Sequence, residues 1–367
     1  MTFQLPHWRM AGAATVFVLA GSSAVALAMH NEPSGAYQAG SPAPVRRSPG
    51  AVHSAAEKAG RALLAQAVAA CRSTAFSGIQ AFRSFGPGGA TVWLAEIWHR
   101  PGGQLVADPV SAGQGETSTS AGVPGPGVSM ALSARQLTLL QAGYVLDYAG
   151  RGSADGRAAD LVTVDRPDGS LAARYWLDRK TRLPLRRQLF DGHARIVSEV
   201  SVGGLRTGPA ALAGMPAAGR QPWARQLGKR EIATLRARGW PLPGQLPGGL
   251  ILVDASATGT AARQVVAASY SDGLSVVSMF VQRGKLPARM LGWQRLAIGG
   301  RNAYAIDPDD QTIAWSGGGY VFTLLADAPA AVVDQAVSAL PQDSEPGFWG
   351  RIGRGFRRLA AWANPFR

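Results

Sequence analysis

Two short turn signals, Pro167-Asp168-Gly169 and Asp191-Gly192, lie between runs of partly alternating apolar and polar residues. Together they limit what the middle of the chain can fold into. Asp and Gly accept the backbone angles of a tight hairpin, so the flanking runs pair antiparallel rather than through a helical crossover. The strand candidates are residues 143–149, 159–166, 170–178, 183–190 and 194–205. Upstream, Phe76, Ile79, Phe82 and Phe85 precede a glycine-rich turn at 86–89, and Thr91–Trp98 follows as a further strand. Residues 54–70 place Ala56, Leu63, Leu64, Ala67 and Val68 at helical spacing, and Leu132–Leu140 predicts a second short helix.

A Pro/Gly/Ala-rich stretch at 207–222 ends this region and reads as a linker. Beyond it, a basic stretch at 223–238 and a Pro-rich lead-in at 240–249 open a second set of strand candidates. These are 250–255, 264–270, 275–282, 294–298, 302–306, 312–316 and 320–325, and a helix over 330–340 carries Val332, Val333, Ala336, Val337 and Leu340 as its apolar stripe. The expectation is an α+β chain. Its N-terminal domain (53–206) is an antiparallel sheet with helices, and a smaller C-terminal α+β domain spans 223–342. With 367 residues, 46% of them apolar, the chain can build two cores.

The ends of the chain read differently. Residues 1–9 finish in His7, Trp8 and Arg9, and residues 10–28 are uncharged and apolar. Residues 1–29 therefore read as an export segment, either a signal peptide cleaved after the small residues Ala26 and Ala28 or an uncleaved signal anchor. Residues 30–52 are a Pro/Gly/Ser/Ala spacer unable to build a core, and 109–129 form a Gly/Ser-rich insertion. Export places the remainder in the periplasm or at the outer face of the cytoplasmic membrane, which removes nucleic acid as a partner despite a net charge of +14. The single cysteine, Cys71, excludes an internal disulfide framework and reads as a buried small hydrophobe.

Searches for catalytic patterns return nothing. His7, His30, His53, His99 and His193 form no HxxxH or HExxH pair; no GxSxG elbow or phosphate loop occurs; Gly353-Arg354-Gly355 lacks the third glycine of a dinucleotide loop. Asp307, Asp309 and Asp310 surround Pro308 and miss the spacing of a calcium loop, so they read as an exposed turn. Glu96 reads as a sheet-surface carboxylate. The expectation is no enzyme activity, no metal and no cofactor.

Charge is concentrated in the second region. Between Trp223 and Leu296 ten basic side chains face only Glu231, Asp254 and Asp272. Arg263, Arg283, Lys285, Arg289 and Arg295 are the expected partner-binding residues for an acidic peptide or a phosphate-bearing lipid. The tail 343–367 carries Ile352, Phe356, Leu359 and Trp362 roughly on one helical face, with Arg351, Arg354, Arg357 and Arg358 crowding the rest. That pattern suits a membrane surface, or a C-terminal helix docked on the domain.

Two segments resemble a known family. Residues 270–281, beginning Tyr270-Ser271-Asp272-Gly273-Leu274 and continuing through Ser278 and Phe280, resemble the YSDGL segment of the MucB/RseB proteins, the regulators of extracytoplasmic stress sigma factors. Trp176-Leu177-Asp178, with Thr181 and Leu183-Pro184-Leu185-Arg186, resembles that family's WLD…LPLR strand pair, with Arg182 where a glycine is common. Trp240 to Pro243 fit the start of its second domain. The Ala/Gly/Arg richness points to a high-GC Gram-positive branch. The resemblance implies a half-open, lipoprotein-carrier-like barrel followed by a smaller α+β domain. It implies binding to the extracytoplasmic domain of a membrane-bound anti-sigma factor, modulation of that factor's proteolysis, and possible sensing of an acyl chain or lipid. The alternative implied by the sheet is an envelope carrier of lipid or lipoprotein.

Overall fold

Helix α1 (Ala55–Ser73) starts where Ser54 caps it, its hydroxyl accepting from the Glu57 amide at 3.1 Å. The computed structural model describes residues 54–86, 89–103, 105–110, 130–216, 225–260, 263–287, 293–298, 301–305 and 312–341. The export segment, the spacer, most of the 109–129 insertion, Arg289, the Asp307–Asp310 cluster and the basic tail lie outside them.

The first sheet comprises β1 (Phe76–Gly86), β2 (Gly89–His99), β3 (Leu105–Pro109), β4 (Val145–Ala154), β5 (Arg157–Asp165), β6 (Leu171–Asp178), β7 (Pro184–Phe190) and β8 (Ile196–Thr207). Helix α2 (Ala134–Gly143) lies between β3 and β4 in the chain. The strand order is β3-β2-β1-β8-β7-β6-β5-β4, and every pairing is antiparallel. Leu64 and Ala67 of α1 and Leu140 of α2 pack with Leu146, Val162, Val164, Tyr175, Leu177 and Leu189, which gives this sheet a helix-bearing face.

The second set comprises β9 (Arg225–Gln226), helix α3 (Lys229–Ala237), β10 (Gln245–Leu246), β11 (Leu250–Thr258), β12 (Val265–Ser271), β13 (Val276–Arg283), β14 (Gln294–Ile298), β15 (Arg301–Ala305), β16 (Thr312–Gly317), β17 (Tyr320–Asp327) and helix α4 (Ala330–Ser338). Its order is β10-β11-β12-β13-β17-β16-β15-β14, with β9 paired to β11. Val333, Ala336 and Val337 of α4 close a core with Tyr270, Met279, Trp315 and Phe322.

The two turn signals behave differently. At 166–170 Gly169 takes the left-handed conformation (φ 84°) and Asp168 accepts from the Ser170 amide at 2.9 Å, as the residue types predict. At 191–195 the left-handed residue is Ala194 (φ 58°), not Gly192. The turn tolerates this because Asp191 accepts from the backbone amides of both His193 and Arg195. The β6–β7 connection holds another left-handed residue, Arg182 at φ 64°. Its guanidinium pairs with Asp160 at 2.5 Å, offsetting part of the backbone cost. Asp178 fixes the same turn by accepting from the Thr181 amide (2.9 Å) and hydroxyl (2.6 Å) while pairing with Arg157 at 2.9 Å.

Helix α1 comes close to the sheet at Gly60, where a methyl group would lie 2.4 Å from the Leu146 carbonyl oxygen. Gly60→Ala should therefore destabilise by about 1–3 kcal/mol, overpacking outweighing the roughly 1 kcal/mol that alanine gains in helix propensity. Urea unfolding measures this; an unchanged or raised midpoint would contradict the packing described.

Candidate partner-binding site and the domain junction

The family-like segment 270–275 forms the turn between β12 and β13, and this turn reaches into the first domain. Tyr270 is buried and donates its hydroxyl to the Pro243 carbonyl at 3.0 Å, tying the strand to the Pro-rich lead-in. The Ser271 hydroxyl donates to the Ser275 carbonyl (2.8 Å) and accepts from the Gly273 amide (2.9 Å). One oxygen of Asp272 accepts from the Leu274 and Ser275 amides at 2.9 and 2.7 Å. The other accepts from the hydroxyl of Tyr144, the residue that ends α2, at 2.6 Å. Gly273 has φ 98°, and a Cβ on it would lie 2.4 Å from the Leu140 amide nitrogen. No other residue type fits this approach of turn to helix. Leu274 then joins the core of the first sheet beside Leu64 and Leu140.

A second contact lies beside the first, because Val276 pairs in register with Asp327 at the end of β17. Asp327 is 1% exposed and accepts from Arg187 of β7 and from the Ser198 hydroxyl of β8, the latter at 2.6 Å. Arg135 of α2 adds a third contact, donating to the Leu252 and Val253 carbonyls at 2.9 and 2.6 Å.

Burial, followed by the charge and hydrogen bond of Asp272, holds the Tyr144 phenol well above its usual range, so it stays a donor. Burial likewise raises Tyr175 and Tyr270. It pushes the Cys71 thiol up to about 11, which makes it a poor nucleophile, in keeping with its reading as a small hydrophobe.

Of the expected partner-binding residues, Arg263 precedes β12 and Arg283 ends β13; the register Val265–Gln282 brings both to the sheet end remote from the domain junction. Lys285 follows on the same side. Arg295 lies apart, on the edge strand β14, in register with Tyr304. Arg283 is already engaged: its guanidinium stands 5.7 Å from the Trp240 ring and 5.4 Å from that of Tyr320, and it donates to the Arg238 carbonyl. Ser278 is buried between β12 and β17, and Phe280 is part-buried. Glu96 is a part-exposed surface carboxylate 3.5 Å from Arg206. Among the described residues no group of three or more His, Cys, Asp or Glu could hold a metal ion.

The hollow on the helix-bearing face, lined by Cys71, Phe76, Met130, Leu183, Val202 and Leu205, measures about 10 Å³. A larger groove of about 470 Å³ lies in the second domain between Trp240–Gly244 and Ala339–Pro341.

Residues 114–226 match the MucB/RseB N-terminal domain. This MucB/RseB-like stretch covers α2 and β4–β8, including Trp176–Asp178 and Leu183–Leu185. The sequence matches no curated protein. Among solved structures, the MucA/MucB complex of Pseudomonas aeruginosa is similar at 19% identity over 78% of this chain and 100% of that one, with a TM-score of 0.42. MucB alone is similar at 19% identity over 78% and 98%, with a TM-score of 0.44. A putative outer membrane lipoprotein-sorting domain from Vibrio parahaemolyticus shows 9% identity over 42% and 94%, with a TM-score of 0.22.

Sequence reasoning missed Tyr144, Arg187, Ser198 and Asp327. One signal was present: Arg187 falls between Leu185 and Leu189 at period two, a charge on an apolar face. Asp272→Ala should cost about 1.5–3 kcal/mol, since it strands three donors, and Tyr144→Phe about 0.5–1.5 kcal/mol. A phenol whose folded value is raised stabilises the fold below the ordinary value of about 10, and that stability is lost as pH rises beyond it. Urea unfolding from about pH 9 to about pH 11 should therefore show a steeper loss in wild type than in Tyr144→Phe. Identical slopes would contradict the role assigned to Tyr144.

Proposed function

We propose that this chain is an extracytoplasmic regulator that binds the external region of a membrane-spanning anti-sigma factor and modulates its proteolysis. The observation that carries the reading is the MucB/RseB N-terminal domain match at 114–226. The YSDGL-like segment 270–274 lies beyond that match, and its residues make the domain junction. The apolar segment 10–28 supports export to the periplasm or the outer face of the cytoplasmic membrane, and the basic excess over 223–296 supports an acidic partner. Arg263, Lys285, Arg289 and Arg295 are the proposed affinity residues of the second domain. Arg283 contributes by holding Trp240 and Tyr320 in place. Arg351, Arg354, Phe356, Arg357, Arg358 and Trp362 are proposed to rest on the membrane surface.

A lipid or lipoprotein carrier is the other reading of the sheet. A carrier needs an apolar face open to its cargo. Here α1, α2, Met130 and Leu274 pack that face. Lipid sensing thus requires these elements to move.

The experiment is calorimetric binding of the full chain to the external segment of a single-span anti-sigma factor, with a protease-protection assay on the same complex. Binding with altered cleavage is expected, and charge reversal at Arg263, Lys285 and Arg295 should weaken association in a graded way, by about 0.2–1 kcal/mol per residue. A folded chain that neither binds the segment nor changes its cleavage would overturn the reading.

A further inference from the structure

The β6–β7 pair has two faces, and the domain junction uses only one. Tyr175, Arg187 and Leu189 lie on the helix-bearing face. Trp176, Arg186, Arg174 and Gln188 alternate onto the opposite face, where Trp176 pairs in register with Arg186 and Arg174 with Gln188. The Arg186 guanidinium stands 5.7 Å from the centre of the Trp176 ring, and that of Arg174 stands 5.5 Å from the Phe190 ring.

Neither guanidinium has a carboxylate partner among the described residues. This sets them apart from Arg83, Arg157, Arg182 and Arg187 in the same sheet, each of which is ion-paired. The acceptor along the Arg174–Gln188 row, Glu199, is already taken on both oxygens, by Arg83 at 2.9 Å and by Gln188 at 2.7 Å. The Arg186 Nε is enclosed without a hydrogen-bond partner, so its free donors are the terminal N–H groups. Stacking on an aromatic ring fixes the guanidinium plane and leaves those N–H edges available, which suits bidentate pairing with carboxylates. In register beyond Arg186 come Ser201 and then Ala81, two small side chains.

Spacing narrows the ligand. Arg174 and Arg186 are diagonal neighbours on adjacent strands, a separation of about 7–8 Å. Alternate residues of an extended chain repeat at about 7 Å. We propose that Arg174, Arg186 and Trp176 form a docking surface for an extended acidic peptide segment of a partner protein, with carboxylates at alternate positions. The surface is on the first domain, separate from the basic residues of the second. It does not depend on the identity of the regulator, so its failure and the failure of the functional reading are distinguishable.

The probe is a synthetic peptide alternating Glu and Ser, compared with a Gln-Ser peptide of equal length, titrated calorimetrically into the full chain at low and high salt. Expected is binding of the Glu peptide only, weakened about five- to tenfold by Arg174→Gln with Arg186→Gln, and with a flatter salt dependence. Lys58→Gln with Arg72→Gln, two exposed basic residues of α1 on the helix-bearing side, should leave it unchanged. Thermal unfolding checks each variant. Should the glutamine pair lower the melting temperature, Arg174→Lys with Arg186→Lys keeps the charge but loses the planar fork, and weaker binding is again expected. Wild-type affinity and salt slope in a folded glutamine or lysine double variant would overturn the proposal. So would binding to anionic phosphatidylglycerol vesicles through these arginines with none to the Glu peptide, which would assign the patch to a membrane.

Discussion

Asp327 is a carboxylate buried between two sheets, and the relation of the two domains depends on it. An unpaired charge so placed would be strongly unfavourable, and a buried pair is tolerated only when its geometry and hydrogen bonds are satisfied. Both groups that satisfy it, Arg187 and Ser198, come from the first sheet, while Asp327 closes the last strand of the second. Sliding one domain over the other would strand all three. The pair therefore specifies a position more than it adds stability.

The neighbouring turn makes that position unique. Gly273 lets its backbone meet α2 where a Cβ would not fit, and Leu274 enters the first core. Asp272 links this steric fit to Tyr144 by a charged hydrogen bond. A segment that reads as a local hairpin is thus half of an interdomain contact. The consequence for function is a division of labour. Residues of the 270–275 turn hold the architecture and Arg283 is engaged on Trp240 and Tyr320, so the surfaces proposed for partners lie elsewhere, at Arg263 and on the face carrying Arg174 and Arg186.

Local features were legible in the sequence wherever alternation and turn chemistry act within a few residues. The strands from β4 to β8 and from β11 to β17 lie close to where the pattern puts them, because Asp168-Gly169 and its counterparts encode their own geometry. The short edge strand β3 was not read, since its five residues follow a glycine-rich turn and alternate weakly. Ala194 in place of Gly192 escaped notice because Asp191 supplies the compensation from three residues away. The junction was opaque for a different reason. Tyr144, Arg187, Ser198 and Asp327 are far apart in sequence, and pairing them requires knowing which sheet faces meet. Arg186 and Arg187 are adjacent, yet one serves the junction and the other the open face, a distinction set by strand pleat alone.

The most direct test of the Arg187–Asp327 contact is a double-mutant cycle on Arg187→Met and Asp327→Leu, read by urea unfolding of the full chain. Each single change should destabilise by about 3–5 kcal/mol, because it leaves the partner charge buried and unpaired. The double variant should cost no more than about 2 kcal/mol, less than either single change, so the coupling is at least about 4 kcal/mol. Small, additive single effects would show that the two side chains do not meet, and would contradict the arrangement of the domains described here.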